Sequence, residues 1–217
     1  MLRKLLTVKE IPTLAWSSTT PLNLQPKPTT LGYLILGLIL FGIGESLLIT
    51  SGAGVSPWTV LAQGMAGKLG WTIGFATLVV SLAVLLLWLP LSQKPGLGTL
   101  LNAIIIAIII DVTLPLLPEP QQLGWQIAQA TLGVVIVGVS SSLYLTANLG
   151  PGPRDGLMTG LQAVTRLPIA QIRIGIEISV VAVGWYLGGV VGVGTLLFAF
   201  GVGPCVALGI LLVRRFL

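Results

Sequence analysis

Four ionisable side chains stand inside long apolar runs: Glu45 in GIGESLLIT, Asp111 in IIIDVTLP, and Arg173 with Glu177 in the run that begins at Ile169. Charge is costly in such surroundings and usually faces a bundle interior or a water-filled path. Arg173 and Glu177 are four residues apart, so on one helix face they can pair with each other. The alternative sets them beside a cavity, as a substrate contact or a proton-linked carboxylate. Glu45 has no basic neighbour in its own run, so it must be protonated or find a partner across the bundle. That makes it the leading candidate for a coupling or binding carboxylate. Asp111 sits at similar depth and either joins such a path or reaches toward the membrane interface. Asn102, Gln63 and Thr59 add hydrogen-bonding capacity.

Two glycine- and proline-containing breaks carry the remaining polar chemistry, GVSPWTVLAQG from Gly54 and GPGPRDGLMTG from Gly150. Ser56 can cap a helix whose first position is Pro57, and Gly152 with Pro153 makes the matching start in the second break. Arg154 and Asp155 can neutralise one another. Beside a helix N-terminus, Arg154 would also favour an anionic group on a small-molecule substrate. The candidate binding or pathway residues are therefore Glu45, Gly54, Ser56, Pro57, Thr59, Gly150, Gly152, Arg154, Asp155, Arg173 and Glu177, with Asn102 and Asp111 as further polar positions within the membrane. Histidine is absent and Cys205 is the single cysteine, so no catalytic residue, metal site or cofactor is expected, and an enzyme is disfavoured. The glycine pairs in GLGT and GVGT read as packing contacts rather than nucleotide loops, because no Gly-Lys-Ser/Thr follows.

These residues need a scaffold, and composition says which solvent it faces. The 217-residue chain is 54% hydrophobic and 8% charged, against roughly 25% charged in soluble domains. The bilayer must cover most of the surface. Six runs are long enough to cross about 30 Å of hydrocarbon: 31–50, 72–90, 97–117, 125–145, 169–188 and 192–212. Residues 1–30 read as a cytoplasmic tail that ends in a linker, LQPKPTT, and touches the membrane surface through Leu5, Leu6 and Trp16. With the N-terminus cytoplasmic, ten of the eleven basic residues fall inside and only Lys68 outside. This places both termini in the cytoplasm. No nucleic acid is expected as a partner.

Shifting the chain on itself by 96 residues superposes 31–111 on 127–207 without a gap and with 19 identities in 81 positions. Gly37, Gly42, Ser46, Thr50, Gly54, Pro57, Leu61 and Gly64 meet Gly133, Gly138, Ser142, Thr146, Gly150, Pro153, Leu157 and Gly160. Matches at glycine and proline mark particular backbone geometry. Three spans per copy is an odd number, so the second copy must enter the membrane from the opposite side, as in many secondary transporters. The expected fold is an all-α polytopic membrane protein of six transmembrane helices in two inverted three-helix repeats, 31–117 and 125–213. An external linker at 118–124 joins them and a cytoplasmic end at 214–217 follows. Each repeat carries a short helix, near 57–67 and 153–165, that is either re-entrant or flat at the interface with Trp58 and Trp71 as anchors.

The segments GVSPWTVLAQG, KPGLGTLLNAI, NLGPGPRDGLMTGL and GGVVGVGTLLFAFGVGP resemble the YczE/YitT family of bacterial integral membrane proteins, over most of 31–210. The resemblance implies a multi-span protein of a bacterial plasma (inner) membrane. In that family an aspartate usually follows PW in the first break. Here Thr59 stands there, so Asp155 keeps half of any symmetric acidic pair. The leading functional expectation is a small-solute transporter or permease with its site between the repeats. The alternative is a membrane scaffold or regulatory partner of another protein.

Overall fold

The structure, a computed structural model, describes residues 11–217, so the expectations for Arg3, Lys4, Leu5, Leu6 and Lys9 lie outside the described residues. Among those residues the regular structure is helical. In chain order come α1 (Pro28–Thr50), α2 (Pro57–Leu69), α3 (Ile73–Leu86), α4 (Leu97–Thr113) with a 3-10 turn at Leu114–Leu116, α5 (Leu123–Ala147), α6 (Pro153–Thr165), α7 (Ile169–Tyr186) and α8 (Val193–Phe216). Five are long and apolar enough to cross a membrane: α1, α4 with its turn, α5, α7 and α8. The pair α2–α3, bent by 117° across its break, is either a sixth, broken crossing or a re-entrant loop.

The span expected at 72–90 is thus a shorter helix. At about 1.5 Å per residue, the 14 residues of α3 cover only about 21 Å. Pro90 is the physical reason: it lacks an amide hydrogen and disfavours helical backbone at Leu89. The chain continues in three-residue turns, Trp88 N–H donating to the Leu85 carbonyl at 3.1 Å and Leu91 N–H to that of Trp88 at 3.0 Å.

α1 and α5 form the centre. Their contact is close because glycines face it. A Cβ on Gly37 would lie 3.0 Å from Ser140 O, and one on Gly44 would lie 2.9 Å from Gly133 O. As numbers rise along α1 they fall along α5, so the two helices run antiparallel. Small residues that let backbones approach replace the hydrophobic effect as the source of packing energy in lipid. α4 flanks α1, where Gly42 faces Ile109, and α8 flanks α5, where Gly138 faces Cys205. These two contacts are the same contact 96 residues apart.

Residues 24–30 read as a linker and Trp16 as a membrane-surface contact, and the structure differs on both. α1 begins at Pro28, a proline at the first turn, where the missing N–H is harmless. Before it, Trp16, Ser17 and Ser18 are buried. Ser18 N–H donates to the Ala147 carbonyl at 3.0 Å, Asn148 Nδ2 donates to the Ser18 carbonyl at 2.8 Å, and Thr30 Oγ1 donates to the Trp16 carbonyl. The Trp16 ring packs on Tyr33 with centroids 4.6 Å apart. The segment finds backbone partners at the α5 terminus, whose last carbonyls would otherwise lack donors.

Candidate functional site

The first break folds back against α1. Gly54 has φ +110°, a backbone conformation that essentially only glycine adopts, and it turns the chain so that α2 starts beside Glu45 rather than at the end of α1. Ser56 occupies the N-cap position, but its hydroxyl makes no cap hydrogen bond. It lies 3.0 Å from Glu45 Oε2 and 2.9 Å from Thr59 Oγ1, while Thr59 Oγ1 donates to Glu45 Oε2 at 2.8 Å. Glu45, Ser56 and Thr59 are each no more than 1% exposed. Glu45 Oε1 has no hydrogen-bond partner among the described residues.

The second break makes the same turn with different chemistry. Gly150 has φ +106°. Asp155, on the first turn of α6, accepts from the Tyr144 hydroxyl at 3.0 Å. The Arg154 guanidinium lies over the Trp58 ring, 5.4 Å from its centroid, an attraction that strengthens where water is excluded. Arg154 is within electrostatic reach of Glu45, Asp155, Tyr144 and Glu177, yet no ion pair closer than 4.0 Å joins it to any of them. Asp155 and Thr159 are exposed at the surface of the described residues and Arg154 is partly so, whereas Glu45, Ser56 and Thr59 in the first break are buried.

Each break docks on the start of a helix from the other half. The Ala53 carbonyl accepts from Gly194 N–H at 2.7 Å, and the Leu149 carbonyl accepts from Gly98 N–H at 2.7 Å. The GLGT and GVGT stretches explain themselves here. Thr99 and Thr195 accept from the N–H groups of Gly96 and Gly192 at 3.2 and 3.3 Å, capping α4 and α8. Gly98 and Gly194 leave room for the incoming backbone, since a Cβ on either would strike the docked carbonyl segment.

A further polar contact exists in one half only. Asp111 accepts from Thr72 Oγ1 at 2.5 Å and from Gly74 N–H at 2.7 Å, tying the end of α4 to the start of α3. It borders a cavity of about 710 Å³ that also includes Gln63, Trp71, Glu119 and Gln126. The positions 96 residues on are Ala207, Pro168 and Ala170, which offer no such contact. There α7 stands off α8, while α3 packs along α4.

A family model described as "Family of unknown function (DUF6198)" matches residues 29–210. The chain belongs to that family. It is 41% identical over 208 residues to an "Uncharacterized protein" of Haemophilus influenzae, covering 96% of this chain and 94% of that one. It is 33% identical over 170 residues to the "Uncharacterized membrane protein YczE" of Bacillus subtilis, covering 77% and 79%, and 28% identical to YyaS of the same organism. No solved structure matches. Similarity to a relative named as a membrane protein and five helices long and apolar enough to cross make the chain an integral, multi-pass membrane protein.

The candidate residues named from sequence fall into one cluster and two outliers. Glu45, Ser56 and Thr59 meet directly, with Pro57 buried between them. At the start of α6, Arg154 reaches this group over the Trp58 ring, Asp155 is held by Tyr144, and the space above Gly152 is bounded 3.6 Å away by Asn102 Nδ2. Arg173 and Glu177 pair along α7, Nε to Oε1 at 2.8 Å, with Glu177 in electrostatic reach of Arg154. Asp111 is remote from this cluster and caps α3. Gly54 and Gly150 are hinges of the chain rather than part of the polar surface.

Three aromatic residues of the cluster were not singled out for the roles they take. Trp58, read as a membrane-interface anchor, is 6% exposed and carries Arg154. Tyr144 holds Asp155. Trp88 donates from Nε1 to the Pro153 carbonyl at 2.9 Å, and its ring fills the space that a side chain at Gly156 would need. Tyr144 had a faint signal in sequence: a hydroxyl-bearing ring amid SSSLYLT, where the first half has Leu48. Trp88 had none, because one tryptophan near the end of an apolar run looks like any interface residue.

Proposed function

We propose that the protein is a small-solute permease built from two inverted halves, α1–α4 and α5–α8, with its binding site where the two breaks converge. The observation that supports this most is the reciprocal docking: Ala53 on Gly194 and Leu149 on Gly98, two hydrogen bonds of equal length related by the 96-residue shift. The antiparallel pairing of α1 and α5 supports a twofold axis in the membrane plane, the arrangement in which short helices from opposite leaflets present their N-termini to one site. The starts of α2 and α6 against Glu45 and Tyr144, within the spans α1 and α5, favour re-entrant over flat helices. Irregular backbone at that depth is tolerated where protein or a water-filled cavity surrounds it.

The site offers a guanidinium on an aromatic face, two carboxyl groups and two helix N-termini, a set suited to a small polar solute that carries an anionic group. In this reading the Asp111 contact closes the side bearing Lys68, and the parted α7 and α8 leave the side bearing Arg166 open to water. Alternating access follows if the two halves exchange these arrangements.

Single cysteines on a Cys205→Ala background test the reading with a membrane-impermeant thiol reagent. Lys68→Cys and Arg166→Cys should label from opposite faces, and Thr159→Cys only from the Arg166 face. Labelling of residues 68 and 166 from one face would overturn the inverted arrangement. For transport itself, compounds that raise the melting temperature of the purified protein should drive counterflow in proteoliposomes, and Arg154→Gln should abolish both effects.

A further inference from the structure

Three oxygens near the start of α2 form a closed ring. Ser56 Oγ to Glu45 Oε2 is 3.0 Å, Ser56 Oγ to Thr59 Oγ1 is 2.9 Å, and Thr59 Oγ1 to Glu45 Oε2 is 2.8 Å. Each edge is a hydrogen-bond distance and needs one proton, but two hydroxyls supply only two. The third must come from the carboxyl group. With Glu45 Oε2 donating to Ser56, Ser56 to Thr59 and Thr59 back to Oε2, every edge holds one hydrogen.

The other oxygen points the same way. Oε1 is buried without a partner among the described residues. As half of a carboxylate it would carry charge into dry surroundings, a much larger penalty than leaving a neutral carbonyl oxygen unpaired. The charged group within electrostatic reach of Glu45 is Arg154 from α6; around Arg154 in turn stand Asp155, held by Tyr144 from α5, and Glu177 of α7, paired with Arg173. Glu45 is the carboxyl group that acts most strongly on Arg154, ahead of Asp155 and Glu177, yet no contact within 4.0 Å joins the two, and Asp155 and Glu177 remain to compensate the guanidinium when Glu45 carries its proton.

We propose that Glu45, ringed by Ser56 and Thr59, is a proton-binding site, and that the ion driving the permease is a proton taken up and released there. Proton binding stands on the ring geometry. Its coupling role rests on the permease reading. Uptake adds one proton to a Glu45 carboxylate oxygen from water, and release returns it to water when the first break moves away from α1. No other bond changes.

Infrared spectroscopy of the protein in liposomes tests this without a transported solute. Wild type at neutral pH should show the carbonyl stretch of a buried carboxylic acid. That band should vanish in Glu45→Gln, shift in Thr59→Val, and persist in Glu177→Gln and Asp111→Asn. Its absence in wild type, its survival in Glu45→Gln, or an unmoved band in Thr59→Val would overturn the proposal. Should Glu45→Gln fail to fold, the Thr59→Val shift still decides. Saturable loss of the band on adding sodium at fixed pH would identify a metal cation as the ligand and also overturn it. A missing band leaves the permease reading intact, whereas failure of the two-sided labelling leaves the proton site intact, so the two failures are distinguishable.

Discussion

The two breaks have nearly the same backbone and opposite surroundings. In the first, Glu45, Ser56 and Thr59 are buried within the protein; in the second, Asp155 and Thr159 stand at its surface. The flanking helices differ likewise. α3 packs along α4, pinned by Asp111, whereas α7 stands off α8, where Ala207 replaces that aspartate. Glycines and prolines shared by the halves set the path of the chain. Polar residues that they do not share decide which half is closed. A repeated fold therefore need not be symmetric in any one state, and in an inverted pair the asymmetry is what separates one side of the membrane from the other.

The largest effects should come from breaking what the halves have in common. Gly54→Ala and Gly150→Ala each force a side chain into backbone near φ +110° and +106°, a strain of about 1–3 kcal/mol. A Cβ at 54 would also lie 2.5 Å from Gly192 N, and one at 150 would lie 2.6 Å from Thr99 Oγ1. Both variants should lose most of their monodisperse, folded fraction on detergent size-exclusion, while Gly203→Ala, which meets nothing within 4 Å, should resemble wild type. A protein that tolerated one hinge alanine and not the other would show that the docking is not equivalent in the two halves.

Next in size is the contact found in one half only. Asp111→Ala removes an acceptor for Thr72 Oγ1 and Gly74 N–H, and hydrogen bonds to a charged group are worth about 1.5–3 kcal/mol. The melting temperature should fall. A cysteine at Gln63, which borders the cavity beside Asp111, should then label faster from the Lys68 side. An unchanged labelling rate would mean that Asp111 stabilises α3 without closing that side. Without the Asp111 change, Gln63→Cys and Thr159→Cys make a matched pair, 96 residues apart. Thr159→Cys should react several times faster, and equal rates would erase the contrast between the breaks.

How much of this was legible in the sequence follows from which forces leave a local trace. The breaks, the helix starts at Pro57 and Pro153 and the pairing of Arg173 with Glu177 could be read because glycine, proline and four-residue spacing act over a single turn. The Glu45 ring was half legible: an unpaired carboxylate demands a partner, but nothing local says that Ser56 and Thr59 supply it in place of a cap. Thr59, the residue that departs from the resembling family's pattern, turned out to be one of those partners. The docked tail on α5, Trp58 under Arg154 and Trp88 under Gly156 are contacts over 68 to 130 residues, set by how helices pack, and no window of sequence contains them. The helix in the 72–90 run ends at Leu86, sooner than its hydropathy suggests, because hydropathy counts apolar residues and does not weigh the stop imposed by Pro90.

The smallest effect concerns Arg173 and Glu177, and it sharpens the contrast between a wet and a dry half. Their side chains are 44% and 19% exposed, and their counterparts in the first half are Thr77 and Ser81, which carry no charge. If water fills the space between α7 and α8, an ion pair on that face is solvated, and such pairs in a helix contribute about 0.3–0.5 kcal/mol. Arg173→Gln should then lower the melting temperature by barely a measurable amount, and less still at high salt, since screening weakens exposed pairs. If lipid covered that face instead, the same substitution would strand Glu177 in hydrocarbon and destabilise the protein by a few kcal/mol. Thermal unfolding of Arg173→Gln and of the double variant Arg173→Gln with Glu177→Gln separates these cases: water predicts that all three proteins melt together, whereas lipid predicts that the double variant recovers what the single one loses.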